Sequence, residues 1–150
     1  KRPVIYHGDR SLESLVKFAN TNAGLHRTSE GRILENGGVI EYLDAKLASQ
    51  VIGKDAGAAI KFLRDIDTYA KLSASQFSKR NEVVSIADDL QMVPYYRKLT
   101  NKIINGEDGF FASELERLRK IVKTSARNMQ PRALDSMEKR INVLQKFLGE

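Results

Sequence analysis

The sequence contains no cysteine and only two histidines, His7 and His26. Without cysteine, this chain cannot carry out thiol–disulfide exchange, form a disulfide or hold a thiolate-bound metal. Neither histidine belongs to a spacing typical of metal ligands. No apolar run reaches the roughly 18 residues that a membrane-spanning helix needs. We therefore expect no catalytic residue, no cofactor, no metal site and no membrane partner.

Charge is abundant but mixed. The 150 residues carry a formal net charge of +6, with 29% charged and 41% hydrophobic residues. This composition favours one globular domain, or one domain with a fragment of another. The cations alternate with acids, as in Glu114 to Arg117, and no run of four basic residues occurs. We therefore expect no nucleic-acid partner. The alternative function, which the net positive charge would favour, is a basic helical module that binds nucleic acid.

The C-terminal half contains three apolar ladders with helical spacing. They consist of Tyr96, Leu99 and Ile103; of Leu115, Leu118 and Val122; and of Leu134, Met137, Ile141, Leu144 and Leu148. A turn at Gly106–Gly109 separates the first two, because glycine can adopt the left-handed conformation that closes a helix. Glu107 and Asp108 in this turn lack the other ligands of a calcium loop, which favours a helix-terminus role.

Local sequence signals predict the secondary structure of the N-terminal half. Val4 to Tyr6 is a β-prone run, and Ser11 can cap a following helix. The apolar pattern then predicts helices from Val39 to about Gly53 and over Ala56–Leu72. Residues 73–79 are predicted to be a loop or a helix break.

Two prolines mark helix starts. Proline costs about 3 kcal/mol inside a helix but is tolerated in the first turn. We therefore predict a short helix that ends near Met92, a new helix that begins at about Val93 because of Pro94, and a last helix that begins at Pro131.

The aromatic cluster consists of Tyr95, Tyr96, Phe110 and Phe111, and part of it is a candidate surface for partner binding. Neighbours on a helix point about 100° apart, so Tyr95 and Tyr96 cannot both face one core. Tyr96 continues an apolar ladder, so Tyr95 is predicted to be partly exposed. Tyr95, Phe110 and Phe111 are the candidate partner-binding residues, and core packing is the alternative.

Several motifs in this order resemble the helical D domain of the protein disulfide isomerase family, found in plant and fungal isomerases and in Windbeutel-type chaperones. They are Gly31-Arg32-Ile33, Gly38, Ile40, Leu43-Asp44, Tyr95-Tyr96-x-Lys98, Lys102-Ile103, Gly106-Glu107-Asp108, Glu114, Arg117-Leu118, Ile121, Ile141-Asn142-x-Leu144 and Phe147. Residues 1–24 resemble the last strand and helix of a thioredoxin domain. The resemblance implies the end of a thioredoxin-like domain at 1–24, a linker at 25–33 and an all-α D domain of about five helices at 34–150.

The resemblance also implies a function. The parent protein would form and rearrange disulfides through Cys-x-x-Cys thioredoxin domains in the lumen of the endoplasmic reticulum. The sequence begins at Lys1 without an initiator methionine, so we expect a piece of a longer chain. This piece would be non-catalytic and would bind unfolded or folding secretory proteins, or another protein of the endoplasmic reticulum. A redox-inactive chaperone is the alternative parent, and the oligomeric state stays open.

Overall fold

The structure, a computed structural model, describes residues 3–51, 55–79 and 84–149, without the side chains of residues 50, 76–79 and 84–89. Six α-helices occur in the described residues: α1 (Leu12–Ala23), α2 (Glu41–Gln50), α3 (Ala56–Lys79), α4 (Val84–Ile104), α5 (Gly109–Ser125) and α6 (Pro131–Leu148). A 3-10 turn, Ala126–Asn128, joins α5 to α6. The predicted all-α class is therefore confirmed, with α2 to α6 as the five helices of the expected domain.

The first helix begins where its capping residue predicts. The Ser11 hydroxyl accepts a hydrogen bond of 3.2 Å from the Ser14 backbone N–H, and Gly24 ends the helix with a φ of 62°. The strand predicted at residues 4–6 is absent, because those residues lie in no regular element. A strand needs a neighbouring strand to pair with, and the described residues contain only an isolated bridge between Arg27 and Ile33.

Helices α3 and α4 are longer than predicted and pack against each other along their lengths. The break predicted at residues 73–79 is wrong, since α3 continues to Lys79. Ser73 is buried there, and the Ser75 hydroxyl donates to the Leu72 carbonyl, so the serines are accommodated within the helix.

The helix start predicted at Val93 is also wrong. Pro94 lies inside α4, which continues from Val84 to Ile104. Pro94 is exposed, and the carbonyl four residues earlier shares its helical face, so water can satisfy that carbonyl. The residues on both sides, Met92, Val93, Tyr95 and Tyr96, are buried. Their packing offsets the cost of one lost backbone hydrogen bond.

The predicted start of the last helix is confirmed, and one residue of its predicted apolar ladder is wrong. Pro131 is the first residue of α6, and Gly149 ends the helix with a φ of 79°. The predicted ladder placed Leu148 inside, but Leu148 is 37% exposed. Leu144 is buried as predicted, together with Val143 and Phe147, and Met137 and Ile141 of the ladder are partly buried against the core.

Phe147 joins the aromatic residues of the core. Its ring stacks on Phe111 of α5 with centroids 5.8 Å apart, and lies 5.8 Å from Tyr96 of α4 and 6.4 Å from Phe62 of α3. Such aromatic pairs contribute beyond the area that they bury. One side chain of α6 therefore joins three other helices.

Among the described helices, none is both long and apolar enough to span a membrane.

Candidate binding groove

The loop between α1 and α2, residues 24–40, is bound to α6 by side chains on one helical face. The Arg27 guanidinium donates two hydrogen bonds to Asp135, at 3.0 Å and 2.5 Å. The Arg32 guanidinium pairs with Glu138, whose second oxygen accepts from the Ile33 backbone N–H at 3.1 Å. Paired donors of this kind make strong, directional contacts. The loop is therefore held in one position on the helix.

A third side chain of the same face completes this attachment. The Asn142 amide donates to the carbonyls of Leu34, at 2.8 Å, and Gly37, at 2.9 Å. Gly38 follows with a φ of 81°, and a Cβ there would lie 2.5 Å from the Lys139 Cβ. Only glycine combines this backbone conformation with this approach.

A groove of about 740 Å³ opens between this loop, α4 and α6. The loop and α4 contribute the apolar surface, from Leu25, Ile33, Met92, Pro94 and Tyr95, whereas α6 contributes polar and charged side chains. The charged lining has five cations and one carboxylate: Arg27, Lys98, Arg132, Lys139, Arg140 and Asp135. Concave sites with apolar walls and a few polar groups are typical of ligand binding.

Cations cover the aromatic cluster next to the groove. The Arg140 guanidinium lies 5.5 Å from the centre of the Tyr95 ring. The Lys98 and Lys102 ammonium groups lie 5.4 Å and 5.0 Å from the centre of the Phe110 ring. Each arrangement is a cation–π contact, which holds the cation near the ring.

Tyr95 is buried, with 8% of its surface exposed. Its hydroxyl has no hydrogen-bond partner among the described residues. Burial, reinforced by the nearby Glu114 carboxylate, raises the pKa of Tyr95 well above its usual value. Two hydrogen bonds from Arg117 in turn lower the pKa of Glu114. The Tyr95 hydroxyl is therefore neutral at physiological pH.

The three predicted partner-binding residues differ in how deeply they are buried. The partial exposure predicted for Tyr95 is wrong, because Tyr95 and Tyr96 are both buried. Tyr96 packs on Phe147, whereas Tyr95 lies beside Arg140, so the two adjacent side chains are buried against different neighbours. Phe111 is buried as well, and Phe110 is half-buried. Partner binding by Tyr95, Phe110 and Phe111 stays a prediction, with Phe110 as the most accessible ring.

The structure also shows the surroundings of the acidic turn and of the two histidines. The Lys102 ammonium donates to the Glu107 carboxylate at 2.5 Å, and Asp108 occupies the N-cap of α5, as the predicted helix-terminus role requires. His26 lines the groove and is half-buried, while His7 is exposed. Within the described residues, no cluster of His, Cys, Asp and Glu could hold a metal ion.

The sequence analysis did not find the acidic face of α6. Asp135, Glu138 and Asn142 hold the loop, yet only Asn142 belonged to a recognised motif. One sequence signal was present: Glu138 follows Leu134 by four positions and precedes Ile141 by three, so it shares their helical face. In the structure it is only 9% exposed. A carboxylate in such a position needs a partner, and Arg32 is that partner.

Comparisons with known proteins agree with this fold. The family described as endoplasmic reticulum protein ERp29, C-terminal domain, matches residues 38–147. A protein disulfide-isomerase of Schizosaccharomyces pombe is 28% identical over 98% of this chain and 36% of its own length. Protein disulfide-isomerase erp38 of Neurospora crassa is 31% identical over 97% of this chain and 35% of its own. Protein disulfide-isomerase tigA of Aspergillus niger is 30% identical over 98% and 34%.

The chain spans about a third of the length of these relatives. No solved structure matches it significantly. The family match covers the five helices α2 to α6 almost completely. The chain therefore belongs to the family of the ERp29 C-terminal domain, the helical domain of protein disulfide isomerases that its sequence resembles.

Proposed function

We propose that this chain is the non-catalytic client- or partner-binding domain of a protein disulfide isomerase of the endoplasmic reticulum. The family match and the names of the relatives support the parent activity and its location. The sequence has no cysteine, and disulfide exchange requires a thiolate that attacks a disulfide sulfur. In this proposal the thiol chemistry belongs to other domains of the parent.

The observation that carries the proposal is the groove between the α1–α2 loop, α4 and α6. Its wall is fixed by Asp135, Glu138 and Asn142 before any ligand arrives. A preformed site avoids the entropy cost of ordering a loop on binding. This arrangement supports binding of a polypeptide segment, and the sequence supplies no thiol for disulfide exchange.

The test compares two forms of the parent on a substrate with scrambled disulfides: the full-length protein and a protein truncated after Gly24. We expect the truncated form to lose isomerase turnover. Its catalytic cysteines should still react at the normal rate with a small thiol, because the chemistry lies elsewhere.

Each other outcome has a distinct meaning. Unchanged turnover on the protein substrate would contradict client binding and would leave an architectural role. If neither form isomerises the substrate, the parent is the redox-inactive chaperone, and suppression of client aggregation becomes the activity to compare. Slower reaction with the small thiol would show damage to the catalytic domains, so the comparison would be repeated with a groove variant.

A further inference from the structure

We propose that the groove between the α1–α2 loop, α4 and α6 binds an extended polypeptide segment that carries carboxylates beside apolar side chains. This inference rests on the proposed binding function and adds the site and the chemical class of its ligand.

The first argument is charge. The only carboxylate that lines the groove, among the described residues, is Asp135, and both of its oxygens already accept hydrogen bonds from Arg27. Lys98, Arg132 and Arg140 add positive charge along the same groove. Glu114, which interacts electrostatically with Lys98 and Arg140, has both of its oxygens occupied by Arg117. The groove therefore presents an excess of cations, which complements a ligand with negative charge.

The second argument is the apolar surface between these cations. Met92 and Tyr95 contribute buried walls, and Pro94 and Leu25 contribute exposed ones. Methionine is flexible and polarizable, so it adapts to side chains of different shape. A purely ionic ligand would leave this surface unused, and a purely apolar ligand would leave unused the positive charge of Lys98, Arg132 and Arg140. A segment that alternates both kinds of side chain uses both.

The same surface disfavours nucleic acid. Binding of single strands usually requires aromatic faces on which bases stack. Among the described residues, Tyr95 is the only Phe, Tyr or Trp that lines the groove, and it is buried beneath the Arg140 guanidinium. A peptide needs no such stacking platform.

The experiment measures binding of short fluorescent peptides to the 150-residue chain by anisotropy. The first peptide is acetylated and amidated and alternates Asp or Glu with Leu or Val. The second replaces every Asp and Glu by Asn and Gln. We expect binding of the acidic peptide at micromolar concentration and at least about tenfold weaker binding of the neutral one. A third peptide, neutral but with a free C-terminus, separates side-chain carboxylates from a terminal carboxylate.

Two double variants with the same change in charge locate the site. One is Lys98→Glu with Arg132→Glu, both in the groove. Its matched control is Lys120→Glu with Arg64→Glu, both exposed and outside the groove. Each lowers the formal net charge of +6 equally. We expect about tenfold weaker binding from the groove variant and less than about twofold from the control.

The single variant Arg132→Glu is a control for misfolding of the double variant. Arg132 is exposed and makes no ion pair with a described residue, so this variant should keep the circular-dichroism spectrum and melting temperature. We expect it to weaken binding of the acidic peptide about threefold.

Five results would overturn the inference. Equal affinity for the acidic and neutral peptides removes the charge argument, and equal losses in the two double variants remove the groove. Tighter binding of a single-stranded RNA than of the acidic peptide, with loss in the groove variant, assigns the groove to nucleic acid. A chain that binds a reduced, unfolded client equally well with and without the groove substitutions refutes the inference and leaves the proposed function intact. A chain that binds neither client nor peptide refutes both.

Discussion

The hydroxyl of Tyr96 accepts a hydrogen bond of 3.1 Å from the backbone N–H of Ile40. Ile40 is the N-cap residue of α2, and Leu43, the position whose side chain accepts from the N-cap N–H in a capping box, has no acceptor atom. Backbone N–H groups at the start of a helix have no partner within the helix. A side chain of α4 therefore supplies the acceptor that the local sequence lacks, and does so inside the core.

Substitution of the two neighbouring tyrosines by phenylalanine should give opposite results. Tyr96→Phe leaves the buried Ile40 N–H without its acceptor and should lower the free energy of unfolding by about 1–3 kcal/mol. Tyr95→Phe removes a hydroxyl that has no partner among the described residues, and should be neutral or stabilising by up to about 1 kcal/mol. Urea unfolding of both variants measures the difference. Equal losses would show that Tyr95 is also hydrogen-bonded.

Tyr95 should also make the protein less stable at alkaline pH. Burial and Glu114 raise the pKa of the folded tyrosine above its ordinary value of 10.0. The unfolded chain therefore loses this proton first, so stability is complete below about pH 10 and falls as pH rises beyond it. Urea midpoints measured from about pH 8 to pH 11 should fall less steeply in Tyr95→Phe than in the parent sequence. Parallel curves would contradict this pKa direction.

Two glycines with the same backbone conformation should differ in their tolerance of alanine. Gly38 and Gly31 have φ values of +81° and +80°. A Cβ at Gly38 meets Lys139, whereas a Cβ at Gly31 has nothing within 4 Å. Gly31→Ala should cost about 1 kcal/mol of unfolding free energy from backbone strain alone. Gly38→Ala should cost about 2–4 kcal/mol because overpacking adds to the strain. Similar costs, measured by chemical denaturation, would show that α6 yields at Lys139.

Elements with local signals could be predicted from the sequence. Ser11 and Gly24 delimit α1, and Pro131 begins α6, because caps and first-turn prolines act through neighbouring residues. At Pro94 the local signal predicted a helix start, and packing of α4 against α3 outweighed it. Propensity is a weak guide wherever burial on both sides is extensive.

The groove could not be predicted in the same way. Its walls combine Arg27 with Asp135 and Ile33 with Glu138, pairs more than a hundred positions apart. Helical periodicity shows which residues share a face, but not which distant loop covers that face. Glu138 lies on the apolar face of α6, but nothing in the sequence pairs it with a cation. The fold shows that Arg32 is its partner.

The attachment of the loop through Asn142 gives the last prediction. Asn142→Ala removes two hydrogen bonds, to the carbonyls of Leu34 and Gly37, without changing a cation or an apolar wall of the groove. Each lost bond is worth roughly 1 kcal/mol, so the variant should lose about 1–3 kcal/mol of stability. Because the loop alone depends on these bonds, its backbone amides should exchange hydrogen faster in residues 25–38, while α3 and α5 exchange as before.

Asn101→Ala is the matched control, since Asn101 is an exposed position of α4. Both substitutions gain the same small helix propensity, so their difference reports the lost bonds. Hydrogen exchange followed by mass spectrometry measures both variants. Faster exchange confined to residues 25–38 in Asn142→Ala alone would show that α6 holds the wall of the groove, and weaker binding of the acidic peptide by the same variant would show that this wall must be preformed. Unchanged exchange in the loop would mean that Arg27 and Arg32 hold it without Asn142.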